Sequence, residues 1–161
     1  RDYLRQSDIE LVLREMAEQV AIRLRRAHKK CTTVSISIGF SRFEEKKSIQ
    51  AQMKVDPVNN TRTLIDHVIS LFRKKYESGA VRSIGVSYSS LVDESLQIIS
   101  FFDDIEQIEK EERLQKAIDT IRDKFDFTSI QKANSLLEAS RAVERSRLIG
   151  GHSAGGLDGL K

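Results

Sequence analysis

AVRSIGVSYSSL, residues 80–91, is the stretch on which the fold turns. Read with a period of two, it sets Arg82, Ile84, Val86 and Tyr88 on one side and Ser83, Gly85, Ser87 and Ser89 on the other. That is the pattern of a half-buried strand with one apolar face and one unusually small, polar face. Two helical and two further alternating segments precede it, and the composition changes abruptly after it. The strand is therefore expected to close a domain.

The chain has 161 residues, enough for one domain of ordinary size or a smaller domain with an appendage. Charge favours the second. Residues 1–91 hold 17 Lys and Arg against 10 Asp and Glu, a balance of +7, whereas residues 92–161 hold 10 against 14, a balance of −4. A basic body points towards phosphate-bearing partners. The single cysteine, Cys31, excludes an internal disulfide, and no run approaches the roughly 18 apolar residues of a membrane span. With no recognisable signal peptide, a soluble cytoplasmic protein without membrane contact is expected. The start at Arg1 and the glycine-rich close have the look of processed ends.

Outward from residues 80–91, Ser7 and Glu10 have the spacing of a capping box, and Ile9, Leu13, Met16, Val20, Leu24 and Ala27 recur every three or four residues as an apolar stripe. Arg25, Arg26, His28, Lys29 and Lys30 close that helix, where cations suit the negative end of its dipole or could meet a phosphate. Residues 32–40 alternate Val34, Ile36, Ile38 and Phe40 against Thr33, Ser35, Ser37 and Gly39; residues 48–55 alternate Ile49, Ala51, Met53 and Val55 against Ser48, Gln50, Gln52 and Lys54. The polar residues 41–47 suit a connection between antiparallel strands. Asp56, Pro57, Asn59 and Asn60 break the chain before a second stripe, Leu64, Ile65, Val68, Phe72 and Tyr76, which Gly79 stops. Helix, strand, strand, helix, strand predicts an α+β fold with an antiparallel sheet and two helices packed on one face.

The uncovered sheet face carries the candidate site. It should display Ser35, Ser37, Gln50, Gln52, Lys54, Ser83 and Ser87, with a basic fringe from Arg42, Lys46, Lys47 and Arg82. Small side chains allow close approach of a phosphate backbone, and hydroxyls and amides position a duplex without reading its bases. A solvated antiparallel face needs no function and would show the same pattern. No aromatic falls on this face, unlike sheets that stack single-stranded bases.

VRSIGVSYSSL, preceded by LIDHVISLFRKKY and TTVSISIGFS, resembles the little-finger domain of Y-family translesion DNA polymerases, in the ImpB/MucB/SamB (UmuC-like) family. Arg82, Gly85, Val86 and Ser87 match the last little-finger strand, and Asp2 and Tyr3 the end of its first, which is otherwise truncated here and leaves a sheet edge to watch for pairing between chains. AIDTIRDKF at 117–125 and LIGGH at 148–152 are similar to the tail of Gram-positive members. The resemblance implies a β-α-β-β-α-β domain that grips primer-template DNA by its backbone, while absent catalytic domains, the natural partners of this one, hold Mg2+ and do the chemistry. No cofactor is expected in this fragment. Gln50 and Gln52 stand where better-known members carry arginines, which lowers the expected DNA affinity of the isolated domain.

Gln97, Ile98, Ile99, Ser100, Phe101 and Phe102 are similar to the peptide by which bacterial members dock on the sliding clamp, with Gln97, Ile99, Phe101 and Phe102 as the contact residues. Phe101 and Phe102 would act as apolar anchors and Gln97 at the rim; folded back, the aromatics would instead latch onto the domain. Asp103 and Asp104 read as helix-opening acids rather than a metal site. Leu114, Ile118, Ile121 and Phe125 mark a tail helix, and Thr128 with Gln131 could cap another carrying Ala133, Leu137 and Val143. His28, His67, His152 and Cys31 show no metal-ligand spacing. The expected organisation is a DNA-binding domain over 1–91, a clamp-binding linker over 92–104, a helical tail over 105–149 and a flexible end over 150–161. The competing reading is a protein-interaction module working through its acidic tail.

Overall fold

A computed structural model describes residues 2–98, 104–137, 140–142, 144, 148–149 and 152–153. The chain divides into two compact units, residues 1–98 and 99–161.

In the first unit, α1 (Gln6–Arg26), β1 (Lys29–Phe40), β2 (Ser48–Val58), α2 (Thr61–Lys75) and β3 (Val81–Asp93) follow one another. The three strands form an antiparallel sheet in the order β2-β1-β3, so β1 is central. Tyr3 adds a single antiparallel bridge at Val81, where the truncated first strand was expected. Both helices contribute to the core on one sheet face: Ile9, Leu13, Ala17, Ala21 and Leu24 from α1 and Leu64, Val68 and Phe72 from α2 pack with Val34, Ile36 and Ile38 of β1. The α+β expectation thus holds. Phe72 is fully buried and stacks on Tyr76 at 4.7 Å between ring centroids; burying such a ring contributes about 1.5–3 kcal/mol.

Local details depart from the sequence pattern in four places. Ser7 does not cap α1: the N-cap is Arg5, without a side-chain hydrogen bond. Glu10 instead accepts from Arg73 Nε and Nη2 at 2.9 and 2.6 Å and from Gln6 Nε2 at 3.0 Å, joining the helices. A tertiary charge pair has outcompeted a local cap. β2 runs past Val55 to Val58, with a register irregularity opposite Thr32 that absorbs Asp56 and Pro57; an edge strand tolerates a proline because no inner neighbour needs its missing N–H. β3 bulges between its pairs Gly39↔Ser83 and Phe40↔Val81, leaving Arg82 as the extra residue. Arg82 is therefore exposed, and Val81 takes the core position that strict alternation assigned to it.

The fourth lies in the second unit. α3 (Ile105–Phe125) forms as expected, with Asp104 as N-cap accepting from the Gln107 amide at 3.2 Å. Thr128 caps no further α-helix; Phe127–Ser129 and Ala133–Leu136 are short 3-10 turns, and the Thr128 carbonyl accepts from Gln131 Nε2 at 3.0 Å. Leu148–Ile149 pairs with His152–Ser153 as a two-residue ladder. Val143, Asp103 and residues 154–161 lie outside the described residues. No helix among the described residues is long and apolar enough to cross a membrane.

Candidate nucleic-acid interface

Strand register assembles the open face into four cross-strand rows. From one end they read Lys54–Thr33–Ser89, Gln52–Ser35–Ser87, Gln50–Ser37–Gly85 and Ser48–Gly39–Ser83. The alternate rows, Met53–Val34–Tyr88, Ala51–Ile36–Val86 and Ile49–Ile38–Ile84, face the helices. Ser35, Ser37, Gln50, Gln52, Lys54, Ser83 and Ser87 are thus brought together as the alternation predicted. At strand spacings of about 3.3 Å per residue and about 4.8 Å between strands, the rows pave a floor of roughly 20 by 10 Å.

The floor is shaped by what is missing from it. An open trough of about 490 Å³ runs over Ser35, Ser37, Gln50, Gln52, Gly85 and Ser87. A Cβ built at Gly85 would collide with the Ser37 hydroxyl, and one at Gly39 with the Ser83 hydroxyl. These glycines let the serine opposite stand where a second side chain would otherwise be. Among the described residues, the side chains of Ser35, Ser37, Gln50, Gln52, Ser83 and Ser87 have no hydrogen-bond partner within the protein. Their donors and acceptors are open to an external ligand.

Charge is concentrated at the two ends. Lys54 is exposed in the first row; Arg42, Lys46, Lys47 and Arg82 are exposed beyond the last. Among the described residues, Lys46, Lys54 and Arg82 engage no carboxylate. Lys47 is turned into its own loop, its Nζ donating to the carbonyls of Glu44 at 3.0 Å and Arg42 at 3.3 Å, so it contributes charge more than a free reach. Exposed Glu45 offsets part of the positive charge there.

Thr33, Ser48 and Ser89 complete the rows and were legible in the same alternation. Phe43, 85% exposed on the loop between β1 and β2, carried no periodic signal. Of the basic run expected to close α1, only Arg25 and Arg26 lie in the helix; Lys29 and Lys30 open β1, and the run is partly spent within the domain. Arg25 Nη1 donates to Asn59 O and Thr61 Oγ1 at 2.7 and 2.9 Å. His28 Nδ1 lies 3.1 Å from Glu94 Oε1, and the buried Lys30 donates to Leu96 O at 3.0 Å. Together with the Glu94 amide donating to His28 O at 3.1 Å, these bonds strap the segment that leaves β3. Gln97 at its end is exposed, whereas Ile99, Phe101 and Phe102 lie outside the described residues.

Residues 1–101 match the model of the impB/mucB/samB family C-terminal domain. The chain belongs to this family. "DNA polymerase IV 2" of Halalkalibacterium halodurans is 34% identical over 152 residues, covering 94% of this chain and 36% of that protein. "Putative UV-damage repair protein UvrX" of Bacillus subtilis is 34% identical over 155 residues, covering 96% and 37%. "DNA polymerase IV" of Clostridium acetobutylicum is 32% identical over 125 residues, covering 78% and 31%. The chain spans about a third of the length of the curated relatives it matches. The matched residues are the C-terminal domain of this family, and the alignments leave roughly two thirds of each of those relatives uncovered.

Proposed function

We propose that the open face of this impB/mucB/samB C-terminal domain grips the primer-template duplex of a translesion DNA polymerase acting in SOS damage tolerance. The observation that carries the reading is the grid of uncommitted hydroxyls and amides, bordered by cations without carboxylate partners. Sugar-phosphate backbones ask for such a surface: neutral hydrogen-bonding groups for register and cations for affinity. The small floor allows the approach, and rows without arginine or aromatic side chains suit an enzyme that must hold distorted templates of any sequence. Mg2+ and the polymerase reaction belong to the catalytic domains of the whole protein, which this domain assists in the cytoplasm. Titration of labelled primer-template duplex with the full 161-residue chain tests the grip, saturable binding at low salt being expected.

Residues 97–102 dock the protein on the bacterial sliding clamp in this reading. Support comes from the sequence QIISFF and from the strap that ends at Leu96, which gives the peptide a fixed point of departure. Phe102→Ala in the full chain is expected to weaken clamp binding at least about tenfold, the cost of truncating an aromatic anchor. Unchanged affinity in surface plasmon resonance against immobilised clamp would remove the assignment.

A second reading draws on α3, one side of which leaves Leu114 and Phe125 each 61% exposed and Ile121 38% exposed. Such a stripe suits a protein partner for the acidic tail, with a merely solvated sheet. Protein association that needs residues 105–137, without duplex binding, would favour it.

A further inference from the structure

The loop between β1 and β2 presents an aromatic side chain to water on a backbone that is held in place. The Phe40 amide donates to Lys47 O at 3.0 Å, the Ser41 amide to Ala80 O at 2.9 Å and the Glu44 amide to Ser41 O at 3.0 Å. Glu44 Oε1 accepts from the Ala80 amide at 2.8 Å, and Lys47 closes the turn through its two carbonyl contacts. Inside this frame Ser41 is buried, yet Phe43 is 85% exposed with the Arg42 guanidinium 4.9 Å from its ring centroid. Flexibility does not account for the exposure, since the loop is fastened at both ends and across its middle.

We infer that Phe43 and Arg42 form a stacking site for an unpaired base at the basic end of the DNA grip. The site deepens the duplex-gripping reading and rests on it. Gly39 lies in the last row of the open face, next to the trough, and the four residues from it to Phe43 span at most about 14 Å, so a strand leaving the face at this end passes within reach of the ring. A guanidinium already covers one ring face, and the exposure leaves the other available; a base there completes the arginine-aromatic-base arrangement that single strands favour. The surroundings argue against a protein partner. Arg42, Glu44, Glu45, Lys46 and Lys47 all flank the ring in sequence, whereas an apolar docking site needs contiguous apolar area. The trough itself offers no aromatic, so paired DNA would lie on the serine grid and an unpaired nucleotide on the loop.

The test uses the full chain and two oligonucleotides, a blunt duplex and the same duplex with a single-stranded extension carrying 2-aminopurine at its first unpaired position. Wild-type protein is expected to quench the 2-aminopurine. Phe43→Ala should abolish the quench and weaken binding to the extended duplex about tenfold, the scale of one base-aromatic stack, with blunt-duplex affinity kept within twofold. Phe43→Tyr should restore both. Unchanged binding of the extended duplex by Phe43→Ala, or an equal loss on both DNAs, overturns the stacking site and leaves the grip standing. Failure of the wild-type protein to bind either DNA overturns the grip and this site with it.

Discussion

Replacing Lys46, Lys54 and Arg82 together by Glu is expected to lower duplex affinity at least about a hundredfold near 50 mM salt. Each substitution removes a cation and adds an anion, so three phosphate contacts become three repulsions. Displacing counterions from a few phosphates is what supplies sequence-independent affinity, and its loss is correspondingly large at low ionic strength. All three residues are exposed and engage no carboxylate among the described residues, so the fold should survive the change. A thermal melt close to that of the parent, combined with lost binding in fluorescence anisotropy, is the expected pair of results. Unaltered affinity would mean that the hydroxyl grid binds nothing charged.

Alkaline destabilisation is the second large effect expected. Cys31 is fully buried between the sheet and the helices, and burial pushes its thiol up to about 11 from an ordinary value of 9.0. Burial also raises the Tyr88 phenol, with Cys31 adding to the shift, while its hydroxyl donates to Ala17 O at 2.9 Å. Both groups are neutral when protonated, and both hold their protons more tightly folded than unfolded. Their stabilisation is complete below pH 9 and is lost as pH rises, from about 9 to 11 for Cys31 and from 10 upwards for Tyr88. A two-unit shift corresponds to roughly 2–3 kcal/mol. The urea midpoint should therefore fall markedly between pH 8 and pH 10.5, and Cys31→Ala should lose less over the same interval. An identical fall in the variant would assign the alkaline lability elsewhere.

The features that sequence reading recovered and missed differ in physical kind. Period-two alternation in β1, β2 and β3 placed Ser35, Ser37, Gln50, Gln52, Ser83 and Ser87 on one face because side-chain direction in a strand is fixed by parity alone. Parity alone set Arg82 on the apolar side, against its place in the basic fringe: one inserted residue at a bulge reverses the assignment of everything beyond it, and nothing in AVRSIG announces the insertion. The cap at Ser7 failed for a different reason. Glu10 had a stronger partner in Arg73, 63 residues away, which no local pattern contains. Phe43 is a third case, since a loop has no period against which an exposed ring stands out. The serines themselves were read as small polar residues, but their direct pairing with Gly39 and Gly85 emerges only from the register. At Gly85 and Ser37 that pairing opens the polar face into a trough.

Duplex binding by the full 161-residue chain, followed by anisotropy across a salt series, tests the central claim most directly. A grip made by the few free cations at the ends of the trough predicts a slope of about −3 to −5 in log affinity against log salt, at near −0.9 per phosphate neutralised. Absence of binding at low salt, or a slope near zero, would contradict it.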